Sequence, residues 1–138
     1  MTMRKFLIAA HGKFASGIKS SLDIIIGETE NIFVIDAYAD GNKSIEDELA
    51  KILENIKPDD ELIVFSDLMG GSITNQVLRF ALRENVHIVS GMNLPLLIDI
   101  IMADVDIPVA DTIENSLKAA REQVVYVNKL FNKENAHD

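Results

Sequence analysis

The chain has 138 residues, of which 48% are hydrophobic and 25% charged, and it contains no cysteine. This size and composition are typical of one globular domain over residues 1–138, with a polar tail frayed after about residue 131. The net charge of −9 disfavours binding to nucleic acid or an anionic membrane. The lack of thiols excludes disulfides and cysteine chemistry, and the apolar runs are too short for a signal peptide or a membrane span. We therefore expect a cytoplasmic protein without direct membrane insertion.

Apolar runs alternate along the chain with segments of helical periodicity. The first run ends at His11 and Gly12, and the next segment repeats its apolar residues at helical spacing up to Gly27. Ser44 and Asp47 resemble a capping box before the second helix. We predict strands over residues 6–10, 32–38, 62–66 and 86–89, and helices over residues 14–26, 45–56, 72–81 and 94–103. A further helix is expected from about Asp111.

The segment from Val124 to Val127 fits either more helix or a last strand, because periodicity does not separate the two for so short a run. Its content of β-branched residues favours a short strand. We therefore expect a strand near the carboxyl terminus.

Strands that alternate with helices at this spacing predict an α/β domain, a doubly wound and mostly parallel sheet flanked by helices. In the strand order 2-1-3-4, a crevice opens between the carboxyl ends of strands one and three. His11 follows strand one, and Asp67 follows strand three. The topology thus predicts that these two side chains meet at one edge of the sheet.

The residues at this edge suit phosphoryl transfer through a phosphohistidine. Asp67 could accept a hydrogen bond from one ring nitrogen of His11, which would leave the other nitrogen free as a nucleophile. Gly70, Gly71 and Ser72 would open the third helix, where backbone N–H groups and the Ser72 hydroxyl can bind an anion. Each signal alone is weak, since strand-end polar residues and Gly-Gly-Ser turns are common. Their conjunction on two adjacent strand ends favours the functional interpretation.

Other candidates have simpler structural explanations. His87 lies within a strand and is expected to be a satisfied histidine of the sheet, and His137 lies in the tail. The chain offers no pair of histidines with ligand spacing on one element, so we predict neither a metal site nor a cofactor. Met69, Met92 and Met102 are interpreted as core residues.

At these residues the chain resembles the mannose-family enzyme IIA component of the bacterial phosphoenolpyruvate-dependent sugar phosphotransferase system. The resemblance covers essentially the whole chain and rests on three ordered motifs. They are Ala10-His11-Gly12, Asp67-Leu68-Met69-Gly70-Gly71-Ser72 with Asn75, and Gly91-Met92-Asn93-Leu94-Pro95. The family pattern usually has proline directly after Gly-Gly-Ser, where this chain has Ile73.

The resemblance implies a role for each matched residue. His11 would accept a phosphoryl group from the phosphocarrier protein HPr and pass it to a histidine of an enzyme IIB partner, Asp67 would support His11, and Ser72 would belong to the phosphate site. Lys13 and Phe14 are candidate partner contacts. Family members are also similar in being homodimers that exchange a carboxyl-terminal strand, which would fall at residues 125–130.

Two other functions fit part of the pattern. The phosphotransfer subunit of dihydroxyacetone kinase has the same fold and a similar histidine, although the Asn93-Leu94-Pro95 turn argues against it. A non-catalytic regulatory module, in which His11 and Asp67 merely line a polar anion-binding crevice, is the other alternative. The sequence does not identify the transported sugar.

Overall fold

The computed structural model describes residues 3–41 and 43–135 and divides into two compact units, one up to Leu94 and one from Pro95. The strands are β1 (Arg4–His11), β2 (Ile32–Ala37), β3 (Glu61–Ser66) and β4 (Val86–Ser90). The helices are α1 (Phe14–Ile26), α2 (Glu46–Glu54), α3 (Ser72–Ala81), α4 (Leu94–Ile101), α5 (Val109–Glu122) and α6 (Val127–Asn135). The alternation predicted from the sequence is confirmed through α5.

The strands form one parallel sheet in the order β2-β1-β3-β4, as predicted. The central strands β1 and β3 pair from Arg4 opposite Glu61 to Ala9 opposite Ser66. Their side chains are buried on both faces, which explains why both strands read as continuous apolar runs. Because all strands run in one direction, their carboxyl ends meet at a single edge.

Helices cover both faces of the sheet within the first unit. On one face, α2 and α3 pack through buried side chains such as Leu49 and Val77 against Leu7 and Val64. On the other face, α1 packs on β1 and β2 through Ala15, Ile18 and Leu22. Asp36 on β2 accepts a hydrogen bond from the Ser16 N–H at the start of α1, at 2.9 Å. This bond ties the first turn of α1 to the neighbouring strand.

Helix α1 has the predicted bounds, but part of its expected apolar face is exposed. The helix ends before Gly27, whose φ of 80° lies in the left-handed region that favours glycine. Phe14 and Ile25 were expected to be buried with Ile18 and Leu22, yet they are 49% and 55% exposed. The buried residues of α1 are Ala15, Ile18 and Leu22, so its buried face is narrower than expected.

The second unit differs from the sequence prediction at its carboxyl end. Residues 124–126 form neither helix nor strand, and residues 127–135 form helix α6. The predicted last strand is therefore wrong for the described residues, whereas its exchange in a dimer stays a prediction. A short strand needs a neighbouring sheet edge for its backbone hydrogen bonds, whereas a helix forms them internally. Val127, Leu130 and Phe131 also fit helical spacing. The helix extends beyond residue 131, where we expected order to end, and His137 lies outside the described residues.

A buried ion pair holds the amino ends of the strands. Lys5 Nζ lies 2.9 Å from Asp60 Oδ2, and the Lys57 N–H donates to the same oxygen at 2.9 Å. Asp60 is only 3% exposed. The hydrogen bond from Lys5 and that from the Lys57 backbone lower the pKa of Asp60 below its usual 3.8, although burial opposes them.

The substitution Asp60→Asn is expected to destabilise the protein most at neutral pH. Because the folded-state pKa is lowered, the stabilisation by ionised Asp60 is present above 3.8 and is lost as the pH falls through the folded value. The melting temperature of Asp60→Asn should therefore be lower than that of the wild type at about pH 7, and this difference should become smaller as the pH is lowered to about 3. Thermal melts monitored by circular dichroism measure it. A difference that stays constant with pH would contradict this role.

Candidate functional site

The structure brings His11 and Asp67 together at the carboxyl edge of the sheet. β1 extends two residues past its last pairing with β3, and there the His11 N–H donates to Asp67 Oδ2 at 2.9 Å. The same carboxylate oxygen lies 2.8 Å from His11 Nδ1. One oxygen thus binds both the backbone and the ring of His11, which sets the ring's orientation relative to the strand.

The ionised Asp67 carboxylate determines which nitrogen of the His11 ring carries the proton. Burial acts to raise the pKa of Asp67, but the hydrogen bonds from the His11 N–H and ring outweigh it, so this pKa lies below its usual value. A carboxylate can only accept, so Nδ1 must carry a proton to bond with it. In the neutral ring, Nε2 then holds the free lone pair. The His11 side chain is 43% exposed and Asp67 only 12%.

The turn between β3 and α3 lies beside the His11 ring. Gly70 has a φ of 72°, a left-handed conformation that glycine adopts without strain. A Cβ atom on Gly71 would lie 3.9 Å from His11 Cε1, so the backbone passes close to the ring. The N–H groups in the first turn of α3 have no partner one turn earlier in the helix, and the helix dipole is positive there. The turn therefore suits an anion next to His11.

Side-chain hydroxyls hold this turn where the family pattern usually has a proline. Ile73 is 1% exposed and packs in the core with α2. The next residue, Thr74, donates from Oγ1 to the Leu68 carbonyl at 2.8 Å and lies 2.7 Å from Ser66 Oγ. These two bonds connect the start of α3 to the end of β3.

Tyr38 was predicted to be the last residue of a strand; it directly follows β2 and lies at the same edge of the sheet. Its hydroxyl donates to Ser72 Oγ at 3.0 Å and accepts from Gln76 Nε2 at 2.9 Å. Its ring centroid lies 5.6 Å from that of His11. Like His11 and Asp67, Tyr38 lies at the carboxyl end of a parallel strand, and β2 neighbours β1, so its position at this edge follows from the strand order. Gln76 has no comparable signal in the sequence.

Exposed apolar side chains follow both His11 and Asp67 in the chain. Phe14 is 49% exposed, Leu68 59% and Met69 86%, and Lys13 is also exposed. The prediction that Met69 is a core residue is therefore wrong. It is also wrong for Met102 and confirmed for Met92, which is buried. The two turns that carry the site residues thus present apolar surface to solvent.

The remaining candidates lie elsewhere or have structural roles. His87 Nε2 lies 2.7 Å from Glu61 Oε2, which confirms the expected satisfied histidine. No group of three or more potential metal ligands occurs among residues 3–41 and 43–135. Within those same ranges, every helix is too short or too polar to cross a membrane. The cleft of about 540 Å³ between Pro58 and Arg83 lies at the amino ends of the strands, away from His11.

Comparison with known proteins identifies the family. The family described as "PTS system fructose IIA component" matches residues 5–117. The chain belongs to this EIIA family. It is 26% identical to the fructose-specific EIIA component of Bacillus subtilis, over 88% of this chain and 84% of that protein. The resemblance inferred from the three motifs is confirmed, and the chain is a phosphotransferase component of a sugar phosphotransferase system.

Solved structures agree with this assignment. A Klebsiella pneumoniae protein assigned to the phosphoenolpyruvate-dependent sugar phosphotransferase system is 31% identical with a TM-score of 0.86, over 94% of each chain. The phosphotransferase component EIIA of Streptococcus agalactiae is 26% identical with a TM-score of 0.76, over 92% of this chain and 99% of that one. The EIIA fold therefore extends over nearly the whole of this chain.

The substitution Asp67→Asn should change the tautomer of the His11 ring. An amide can present either an oxygen or an NH₂ group to Nδ1, so the preference for a proton on Nδ1 should weaken. ¹⁵N NMR of labelled histidine measures the tautomer in alkaline solution, at a pH above which the ring ¹⁵N chemical shifts no longer change. We expect mostly the Nδ1–H form in the wild type and a larger Nε2–H fraction in the variant. His87 serves as an internal control, and a wild-type His11 mostly in the Nε2–H form would contradict the orienting role.

Proposed function

We propose that His11 accepts a phosphoryl group from phospho-HPr and passes it to a histidine of an enzyme IIB protein, during coupled sugar uptake and phosphorylation. The observation that carries this proposal is the bond from His11 Nδ1 to Asp67 Oδ2 at 2.8 Å. It leaves Nε2 as the nucleophilic nitrogen on a ring that is 43% exposed. Transfer between two proteins requires such access.

In the proposed step, the Nε2 lone pair attacks the phosphorus in line. A new N–P bond forms, and the N–P bond to the HPr imidazole breaks, with its electron pair returning to that imidazole. The His11 ring keeps its proton on Nδ1 and gains positive charge, which the Asp67 carboxylate offsets. The second transfer repeats the exchange toward enzyme IIB. Both steps replace one phosphohistidine by another, so positioning and electrostatics suffice in principle and we assign no metal or cofactor.

The start of α3 supplies the proposed phosphate site. Gly70 and Gly71 leave the backbone open to an anion, and Ser72 adds a hydroxyl at the first position of the helix. The oxygen atoms of a phosphoryl group on Nε2 would carry negative charge next to the positive end of the helix dipole. Gly71 is close to the ring of His11, which supports this placement.

Exposed apolar residues around the site are the proposed contacts for the two protein partners. Phe14, Leu68 and Met69 offer apolar surface, and Lys13 adds a positive charge to this surface, although the protein as a whole has a net charge of −9. HPr and enzyme IIB would use this surface in turn, because each must bring a histidine to the same nitrogen. We place the protein in the cytoplasm, where it would reach the membrane only through the transporter complex.

We further propose that the protein is a homodimer. Residues 124–131 include a group of apolar side chains that are 47% to 76% exposed. They are Val124, Val125, Tyr126, Val127, Leu130 and Phe131. An apolar group of this kind on a soluble protein is typical of a surface covered by another chain. A second copy is the proposed occupant.

Phosphorylation of His11 is tested by incubating the protein with phosphoenolpyruvate, enzyme I and HPr. The wild type should acquire an acid-labile, base-stable phosphate, and His11→Ala should acquire none. Asp67→Asn should be labelled about 10- to 100-fold more slowly, because a charge-assisted hydrogen bond is lost. Transfer rates determined by quench-flow and phosphate counting give the comparison.

His87→Gln is the matched control, since His87 is a histidine at the other end of the sheet, and it should be labelled like the wild type. Labelling that persists in His11→Ala would overturn the assignment. Phe14→Ala tests the partner contact separately. An unchanged transfer rate in that variant would remove Phe14 from the proposed docking surface.

The oligomeric state is tested by sedimentation equilibrium. The wild type should have twice the chain mass, and the double variant Leu130→Asp, Phe131→Asp should be a monomer, because two buried charges at the interface would be unpaired. Ile24→Asp is the matched control, since Ile24 is an exposed apolar residue of α1 at 83%, and it should remain dimeric. A monomeric wild type at about 50 μM would refute the dimer.

A further inference from the structure

A line of hydrogen bonds connects the start of α2 to Ser72. The Ile45 N–H donates to Gln76 Oε1 at 3.1 Å, and the Ser44 hydroxyl donates to the same oxygen at 2.8 Å. A backbone N–H can only donate, so the side-chain atom facing it must be the carbonyl oxygen of Gln76. The orientation of the Gln76 amide is therefore determined by the backbone.

The orientation of Gln76 determines the next bond. Its NH₂ group, which can only donate, faces the Tyr38 hydroxyl oxygen at 2.9 Å. Tyr38 therefore accepts from Gln76 and has its single proton available for Ser72 Oγ, at 3.0 Å. Every bond from Ile45 to Ser72 thus points the same way.

Ser72 is the last member of this line. Because Ser72 Oγ accepts from Tyr38, its own proton is not used in that bond and is free to be donated elsewhere. Ser72 is exposed at the first position of α3, next to the turn that approaches His11. We propose that Gln76 and Tyr38 are positioning residues that make Ser72 a hydrogen-bond donor to the phosphoryl group on His11.

The direction of the bonds matters because a phosphoryl group is anionic. Its oxygen atoms accept hydrogen bonds and repel lone pairs, so Ser72 stabilises them only when its proton points toward them. A free serine hydroxyl rotates, and it would spend part of its time with a lone pair toward the anion. The Tyr38 proton restricts that freedom, because it occupies one of the two lone pairs of Ser72 Oγ and keeps the Ser72 proton from pointing at Tyr38.

The backbone of Tyr38 supports a specific role for this side chain. Its φ of 62° is left-handed, a conformation that is rare for a bulky residue and persists only where surrounding contacts hold it. In this conformation the ring lies at 37° to the ring of His11, and the hydroxyl reaches both Ser72 and Gln76. Tyr38 thus contacts the phosphoacceptor and orients the phosphate-binding hydroxyl.

Two substitutions remove these hydrogen bonds or change their direction, while they keep the size and packing of the side chains nearly unchanged. Tyr38→Phe keeps the ring beside His11 and removes only the hydroxyl. Gln76→Glu keeps the acceptor for the Ile45 N–H but replaces the NH₂ donor by an acceptor oxygen. The Tyr38 proton would then turn toward residue 76, and the Ser72 proton toward Tyr38. Gln76→Glu should therefore reverse the line.

This inference rests on the proposed phosphorylation of His11, and phosphoryl transfer from phospho-HPr measured by rapid quench tests it. Tyr38→Phe should lower the maximal rate constant about 5-fold and Gln76→Glu about 10-fold or more, the scale of one hydrogen bond. The phospho-HPr concentration that gives half the maximal rate should stay within about twofold, because docking is unaffected. In a Ser72→Ala background, neither substitution should slow transfer further.

Tyr126→Phe is the matched control, because it removes the hydroxyl of the other tyrosine in the chain, which is 70% exposed, and it should transfer like the wild type. Equal slowing by Tyr38→Phe and Gln76→Glu with and without Ser72 would overturn the inference, since a charge or folding effect does not need Ser72. Unchanged rates in both variants would also overturn it. In these two cases the wild type still becomes phosphorylated, whereas a wild type that accepts no phosphate would refute the proposed function as well.

Discussion

The site depends on one carboxylate oxygen that accepts two hydrogen bonds from one residue. Asp67 Oδ2 bonds the His11 N–H and Nδ1, at 2.9 and 2.8 Å. The first bond continues the contact between β1 and β3 beyond their last backbone pairing, and the second orients the ring. The same oxygen of Asp67 therefore both extends the pairing of the two strands and orients the His11 ring. The arrangement exists only because β1 and β3 are neighbours and end at the same edge of the sheet.

The sequence was sufficient for the sheet and for this pair of residues. β1 and β3 are covered on both faces, so their apolar runs are continuous and their ends are sharp, at His11 and Asp67. Parallel strands joined by helices allow few orders, and the observed order places these ends side by side. The three motifs were also specific enough to identify the EIIA family that the comparisons establish.

The rest depends on contacts between elements that are distant in the chain. The bond between Tyr38 and Ser72 spans 34 residues, and it requires both a left-handed backbone at Tyr38 and the packing of α2 on α3. Neither follows from residue type or periodicity. Met69 is apolar but lies in a turn, so composition alone gave the wrong burial. The β-branched residues at 124–127 favoured a strand, but residues 124–126 form no regular element and Val127 begins a helix, whose backbone hydrogen bonds form without a neighbouring strand.

The bond from the Ser16 N–H to Asp36 has a consequence for the turn that follows His11. This turn is held at one end by the strand, where the Gly12 N–H donates to the Ala37 carbonyl at 2.7 Å, and at the other end by Asp36. Its conformational entropy is therefore lost when the protein folds rather than when a partner binds. In the proposed transfers, each partner would therefore meet a histidine whose backbone is already ordered, and the binding energy of the encounter would be used to align the two rings.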